Sequence, residues 1–287
     1  MAGLPILGVD ATSAGTQAIL VQDGEVIHRT TETGMDVMLD PKAFDKLALL
    51  VKESGATIAG IGVAGLNSPR EAALLEMRLR SETGVSVTVG DDTETAQLGA
   101  FNGGPGIVVI AHSGSNSFGR DAQGRAARSG GHGHLVGDEG SLYWIASRAV
   151  RLALRSRDGR GRKSQALEDA VKAAYGTDLP GVVTRVTAAA GDPSVVVRVA
   201  KALMDVDDPV ARSVLDEASD DLVAHVTALR ATLGNLPVAM YGSVFQNAYL
   251  RQRFVAATNA VDALNTPVFG AVVLASNQVR DRDMGWH

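Results

Sequence analysis

Short apolar runs at strand spacing open the chain. Residues 4–10 read as a buried strand, 16–22 as a second and 25–31 as a third, with Asp23 and Gly24 supplying the tight hairpin between the last two. Three consecutive strands predict a mixed sheet. From Pro41 to Ser54 the period changes: Phe44, Leu47, Leu50 and Val51 recur at helical spacing, and Pro41 suits a first helical turn. Strand and helix then alternate, with short apolar strands at 57–63, 85–89 and 107–111 and helices at 70–83 and 94–101. That order predicts an α/β sheet covered by helices.

Past a Gly-rich junction at 102–106 the pattern differs. A hairpin-like region at 121–124 is followed by a loop of Gly and His, a helix over 140–154 and a mostly helical stretch over 164–233. The basic loop 155–163 between them reads as a solvated connector. Residues 237–241 read as a strand, followed by Gly242, a helix over 247–258 and a closing helix over 269–278. Two α/β lobes with a cleft between them fit this order: 1–105 as the first, and 106–287 as the second with a helical insertion, its last helix free to return to the first lobe.

Composition narrows the picture. With 287 residues, 45% apolar and 21% charged, the chain can bury one large core or two modest ones. A net charge of −5, from 27 Lys and Arg against 32 Asp and Glu, argues against partners such as nucleic acid or an anionic membrane. The absence of cysteine excludes a disulfide framework, a thiolate nucleophile and Cys-based zinc or iron–sulfur sites. No apolar run approaches the roughly 20 residues needed to span a bilayer, and the first residues lack a basic leader, so the expected compartment is the cytoplasm.

Four polar segments stand out, three of them directly after predicted strands. After the first strand come Asp10 and the small residues Ala11, Thr12, Ser13, Ala14, Gly15 and Thr16, which place a carboxylate beside amides and hydroxyls, a cradle suited to a phosphate and its metal. Asp91 and Asp92 end a strand where a helix begins; one can cap the helix while the other accepts a proton during phosphoryl transfer. His112, Ser113, Gly114, Ser115, Asn116 and Ser117 form a turn able to wrap a phosphate or a sugar, or a plain hairpin. The run Gly130 to Ser141 holds five glycines and then an acidic pair, Asp138 and Glu139; its His132 and His134 could instead join those acids on a transition metal, a nonspecific pattern.

Taken together these segments resemble the BadF/BadG/BcrA/BcrD family of the actin-like, sugar-kinase and heat-shock ATPase superfamily, in its N-acetylglucosamine kinase-like branch. The matching residues are Val9, Asp10 and Thr16, then Asp92, then 114–117 and 119–124, the long run GGHGHLVGDEGSLYW over 130–144, YGSVFQN over 241–247, and 270–275. The resemblance implies two RNase H-like lobes and ATP-dependent phosphorylation of an amino sugar, N-acetylglucosamine or glucosamine, at its 6-hydroxyl. It implies Asp92 as general base and Asp10 as the holder of magnesium through water, with Asp138 as a second candidate metal ligand. Thr12, Ser13, Thr16, Ser113, Gly114, Gly242 and Ser243 would bind ATP, and Ser115, Asn116, His132, Asp138 and Glu139 the sugar; relatives are often homodimers.

This sequence departs from the family pattern at named places. The first phosphate loop is poorer in glycine, His112 and Ser243 each replace a glycine near ATP, and His132 stands where N-acetylglucosamine kinases often carry Trp. His132 suggests a different amino sugar or none, or else a tolerated replacement. The lack of cysteine excludes the iron–sulfur activators of the family. Two other readings remain open: a ligand-binding or regulatory protein that kept the fold without the chemistry, and a kinase or ATPase for a substrate that is not a sugar.

Overall fold

The structure is a computed structural model that describes residues 3–12, 15–66, 68–189 and 192–283. It separates into two compact units, one of 1–108, 122–124 and 262–287, the other of 109–121 and 125–261.

The first unit is built on a five-stranded sheet of order β3-β2-β1-β4-β5: β1 Ile6–Thr12, β2 Gly15–Gln22, β3 Glu25–Glu32, β4 Ile58–Val63 and β5 Ser86–Asp91. β1, β2 and β3 run antiparallel while β1, β4 and β5 run parallel, so the sheet is mixed as the sequence predicts. Asp23 and Gly24 both take positive φ, at 52° and 84°, as the two-residue hairpin requires. Helices α1 Pro41–Glu53 and α2 Pro69–Thr83 cover one face through Phe44, Leu47, Val51, Leu75 and Leu79. Each begins with an N-cap, Asp40 and Ser68, followed by proline, which has no amide to leave unpaired.

Helix α3 Asp92–Ala100 and the C-terminal helix pack on the opposite face. That face is lined by glycine: a methyl group at Gly60 would overlap the Ala271 carbonyl, and one at Gly62 the hydroxyl of Thr95 in α3. The backbones therefore touch where side chains would otherwise hold them apart, and β5 ends at Asp91, the residue that caps α3.

The second unit carries a sheet of order β10-β9-β6-β7-β8, from β6 Gly106–Ala111, β7 Ser115–Arg120, β8 Ala126–Gly130, β9 Val238–Tyr241 and the two-residue β10 Val261–Asp262. Six helices join it: α4 Leu142–Arg157, α5 Gln165–Tyr175, α6 Leu179–Ala188, α7 Pro193–Met204, α8 Pro209–Leu233 and α9 Ala248–Thr258. The chain ends in α10 Pro267–Asp283, the helix already placed on the first unit. α8 lies along β7 and β8, burying Leu222, Val226 and Leu229, while α4, α5 and α7 pack together around Ile145, Leu167 and Val199. α4 runs three residues past the predicted end and absorbs the start of the basic loop, where Arg160 pairs with Asp158 at 2.7 Å and Lys163 with Glu168 at 2.7 Å. No helix among the described residues is long and apolar enough to cross a membrane.

Candidate functional site

In the first unit two carboxylates converge at the ends of parallel strands. Asp10 of β1 is in register with Gly62 of β4, which is in register with Gly90 of β5, so neither neighbouring strand puts a side chain of its own beside Asp10 at that level. Asp91 is the N-cap: its carboxylate accepts from the Thr93 amide at 2.8 Å and from the Thr93 hydroxyl. Asp92 is thereby left as the first helical residue. Burial pushes the Asp92 carboxyl up to about 7, with the charges of Asp91 and Asp10 adding to it. Burial alone pushes Asp10 up to about 6, and its Oδ1 is buried with no hydrogen-bond partner.

The turn after β1 is closed by Thr12, whose hydroxyl donates to the Gly15 carbonyl at 2.8 Å. Thr16 is buried with its hydroxyl unpartnered. Ser13 lies outside the described residues.

In the second unit the turn after β6 is tight: the His112 amide donates to the Gly114 carbonyl at 2.9 Å. Its carbonyls are taken up by the first amides of α4, Leu142 onto His112 at 2.8 Å and Tyr143 onto Ser113 at 3.3 Å. Gly114 is needed for contact, because a methyl group there would stand 2.7 Å from Asp138 Oδ2. Asp138 itself takes a positive φ of 57°. Its carboxyl is raised by burial, against hydrogen bonds from the Ser115 and Gly133 amides that lower it.

Ser115 and Asn116 tie this turn to the glycine-rich run. The Ser115 hydroxyl donates to the Glu139 carbonyl at 2.6 Å, and its carbonyl accepts from the Gly131 amide at 3.1 Å. Asn116 is in register with Gly130, and its Oδ1 is buried without a partner. A buried, unsatisfied amide oxygen costs roughly 1–3 kcal/mol and marks a place where a ligand hydroxyl or a water would be welcome. His132 is exposed on the same loop. Among the described residues no group of three or more His, Asp or Glu is arranged to hold a metal, so the His132, His134, Asp138 and Glu139 reading has no geometric support.

One residue of this cluster is not among those read from the sequence. His225 of α8 is buried beneath β8, with Nδ1 2.9 Å from the Ser129 hydroxyl, Nε2 unpartnered and its ring against Gly130. Its only sequence signal is a polar residue on the apolar stripe of Leu222, Val226 and Leu229. The third predicted nucleotide segment follows β9, where Gly242 has φ 129° and a methyl group would overlap the Ala111 carbonyl; the next residue, Ser243, begins a 3₁₀ turn over Ser243–Gln246.

Thus the described candidates fall into two constellations: Asp10, Thr12, Thr16 and Asp92 on the first unit, and Ser113, Gly114, Ser115, Asn116, His132, Asp138, Glu139, Gly242 and Ser243 on the second.

A mixed sheet with carboxylates at its strand ends, and a second sheet whose strand ends carry small-residue turns, are features of actin-like ATPases. A Chromobacterium violaceum protein assigned as an N-acetylglucosamine kinase superposes with a TM-score of 0.79 at 25% identity, over 95% of this chain and 99% of that one. A Streptomyces griseus ROK family glucokinase, solved with glucose and AMPPNP, superposes with a TM-score of 0.61 at 17% identity, over 95% and 98%. In sequence, the chain is 32% identical to the N-acetylmuramic acid/N-acetylglucosamine kinase of Clostridium acetobutylicum over 235 residues, 76% of each protein. The pattern of the BadF/BadG/BcrA/BcrD ATPase family matches residues 7–275, and the chain belongs to that family.

Proposed function

We propose that this protein is an ATP-dependent kinase of an amino sugar, transferring the γ-phosphoryl group to the 6-hydroxyl of N-acetylglucosamine or a close analogue. The observation that carries the reading is the division of labour at the start of α3: Asp91 is spent on capping, and Asp92 is held beside Asp10 with a carboxyl raised towards neutrality. In the proposed step Asp92 accepts the hydroxyl proton as the sugar oxygen bonds to the γ-phosphorus and ADP departs with the bridging oxygen. A base with a value near 7 is well matched to that transfer at neutral pH.

Ser115, Asn116, Asp138 and Glu139, with His132 at the rim, are assigned to the sugar: a fixed carboxylate and an unpartnered amide discriminate hydroxyls by leaving buried groups unsatisfied when the wrong one is absent. Thr12, Ser13, Thr16, Ser113, Gly114, Gly242 and Ser243 are assigned to ATP. Magnesium fits the Asp10 side, because a buried carboxylate oxygen without a partner suits a hydrated cation. Bound there, the ion would neutralise phosphate charge. Asp138, the other candidate metal ligand, already accepts two backbone amides and is assigned to the sugar loop. The reading is of a cytoplasmic enzyme whose partners are its substrates and a second copy of the chain.

The test is ADP release with ATP and magnesium against glucosamine, N-acetylglucosamine, N-acetylmannosamine, N-acetylmuramic acid, mannosamine and glucose, for the wild type and Asp92→Asn. Sugar-dependent release that falls by about 10²–10⁴ in the variant is the expected result. ATP binding without turnover of any sugar would overturn it in favour of a binding protein or another acceptor.

A further inference from the structure

In the second unit His112, which the proposed mechanism leaves without a role, meets Ser243, a residue assigned to ATP. β6 and β9 are neighbours in the sheet, and the turns that follow them, at His112 and at Gly242, close over the same strand ends. The Ser243 amide donates to His112 Nδ1 at 3.1 Å, and the Ser243 hydroxyl stands 3.3 Å from the same nitrogen. The Tyr241 ring packs edge-on against His112, with centroids 5.4 Å apart and planes at 77°. The His112 backbone is fixed at both its amide and its carbonyl, by Gly114 and Leu142, and its exposed ring is held by Ser243 and Tyr241.

This contact fixes the tautomer. A backbone amide can only donate, so Nδ1 carries no proton and the neutral ring carries it on Nε2. Partial burial also holds His112 below its ordinary range, in favour of that neutral form. The pair thus adds a side-chain link between two turns whose strands are already neighbours in the sheet.

We propose that the His112–Ser243 pair is a latch that holds the turn after β6 to the turn after β9 and makes His112 a positioning residue for the nucleotide. The inference rests on the assignment of these two turns to ATP. A nucleotide reaching from Ser113 and Gly114 to Gly242 and Ser243 must hold both turns in one arrangement. Turns already joined lose less freedom when it binds, which lowers the cost of binding ATP and leaves the cost of binding the sugar unchanged.

Three substitutions separate the latch from direct contact. His112→Asn keeps an acceptor, Oδ1, at the place of Nδ1; His112→Gln keeps a donor near the place of Nε2 and loses that acceptor; His112→Gly loses both. The latch requires KM for ATP to rise about fivefold in the Gly and Gln variants, the ~1 kcal/mol of one net hydrogen bond, and to stay within about twofold of wild type in the Asn variant. KM for the sugar and kcat should hold. Hydrogen exchange at the Ser243 amide, measured without nucleotide, should accelerate in the Gly and Gln variants and not in the Asn variant. Rescue by Gln rather than Asn, an ATP KM indifferent to all three, or sugar and ATP constants moving together would overturn the latch. If the wild type transfers no phosphate to any sugar while its ATP affinity follows the expected order, the kinase reading fails and the latch stands; a wild type that binds no ATP overturns both.

Discussion

Asp92 is the residue on which acid–base chemistry and stability pull in opposite directions. Its carboxyl titrates at about 7 in the folded protein against an ordinary 3.8, so between those values the folded state holds a proton that the unfolded chain releases. Stability is therefore lost as pH rises from about 4 to about 7, and the whole deficit is present above 7. Asp92→Asn removes the buried charge and gives Asp91 a donor in place of a repelling carboxylate. We expect this variant to melt several degrees higher than wild type at pH 8, with the gain shrinking steadily towards pH 4. Thermal unfolding across that range checks it, and a gain independent of pH would contradict it. On the proposed mechanism the same titration sets the activity profile: with Asp92 as the base it must be deprotonated, so kcat should climb with pH through about 7 and level off above it. Flat kcat between pH 6 and 8 would remove Asp92 as the base. Local pattern does not separate the two adjacent aspartates, because both suit a helix start, and only the family resemblance singles out Asp92; the hydrogen bonds to Thr93 give the capping role to Asp91.

At the scale of elements, the sequence carries most of the first unit and less of the second. The strands at β1, β2, β3 and β4 and the caps of α1 and α2 are written in local pattern: apolar runs, a DG turn, and Asp or Ser before Pro. β7 and β8 are not, since SNSFGR and AARSG lack the β-branched runs that mark a strand, and their pairing is held by the sheet and by α8 rather than by propensity. The sheet glycines are equally silent in sequence, where they read as weak strand positions. Their reason is the backbone of α10. Gly60→Ala would drive a methyl group into the Ala271 carbonyl, with rigid backbone on both sides. We expect a cost of roughly 1–3 kcal/mol or more, seen as a lowered melting temperature, whereas Gly15→Ala, where a methyl group meets nothing within 4 Å, should leave it unchanged. Equal melting temperatures for the two variants would mean that α10 does not lie on the glycine face.

At the scale of the whole chain, the first unit is assembled from both ends of the sequence. Residues 262–287 belong with 1–108, and α10 covers the face of β1 and β4 opposite α1 and α2, sealing Ile19 and Val21 with Val268 and Val272. Periodicity announces a closing helix but not its destination, because an amphipathic pattern says that a face is buried and not against what. The consequence is unequal dependence on the C-terminus. A chain ending at residue 261 leaves the glycine-lined face of the first sheet open to water, and glycine offers no side chain with which to repack it. The second unit keeps all its helices in that truncation. We expect circular dichroism of the truncated chain to retain the helical signal of α4 to α9 while the cooperative transition of the first unit disappears. Addition of a separate peptide of residues 262–287 should restore it, since the contacts are non-covalent and the face they cover is preformed by the strands. A truncated chain that melts like the full one would show that the sheet is held by α1 and α2 alone, and that the glycines of β1 and β4 answer to something other than the last helix.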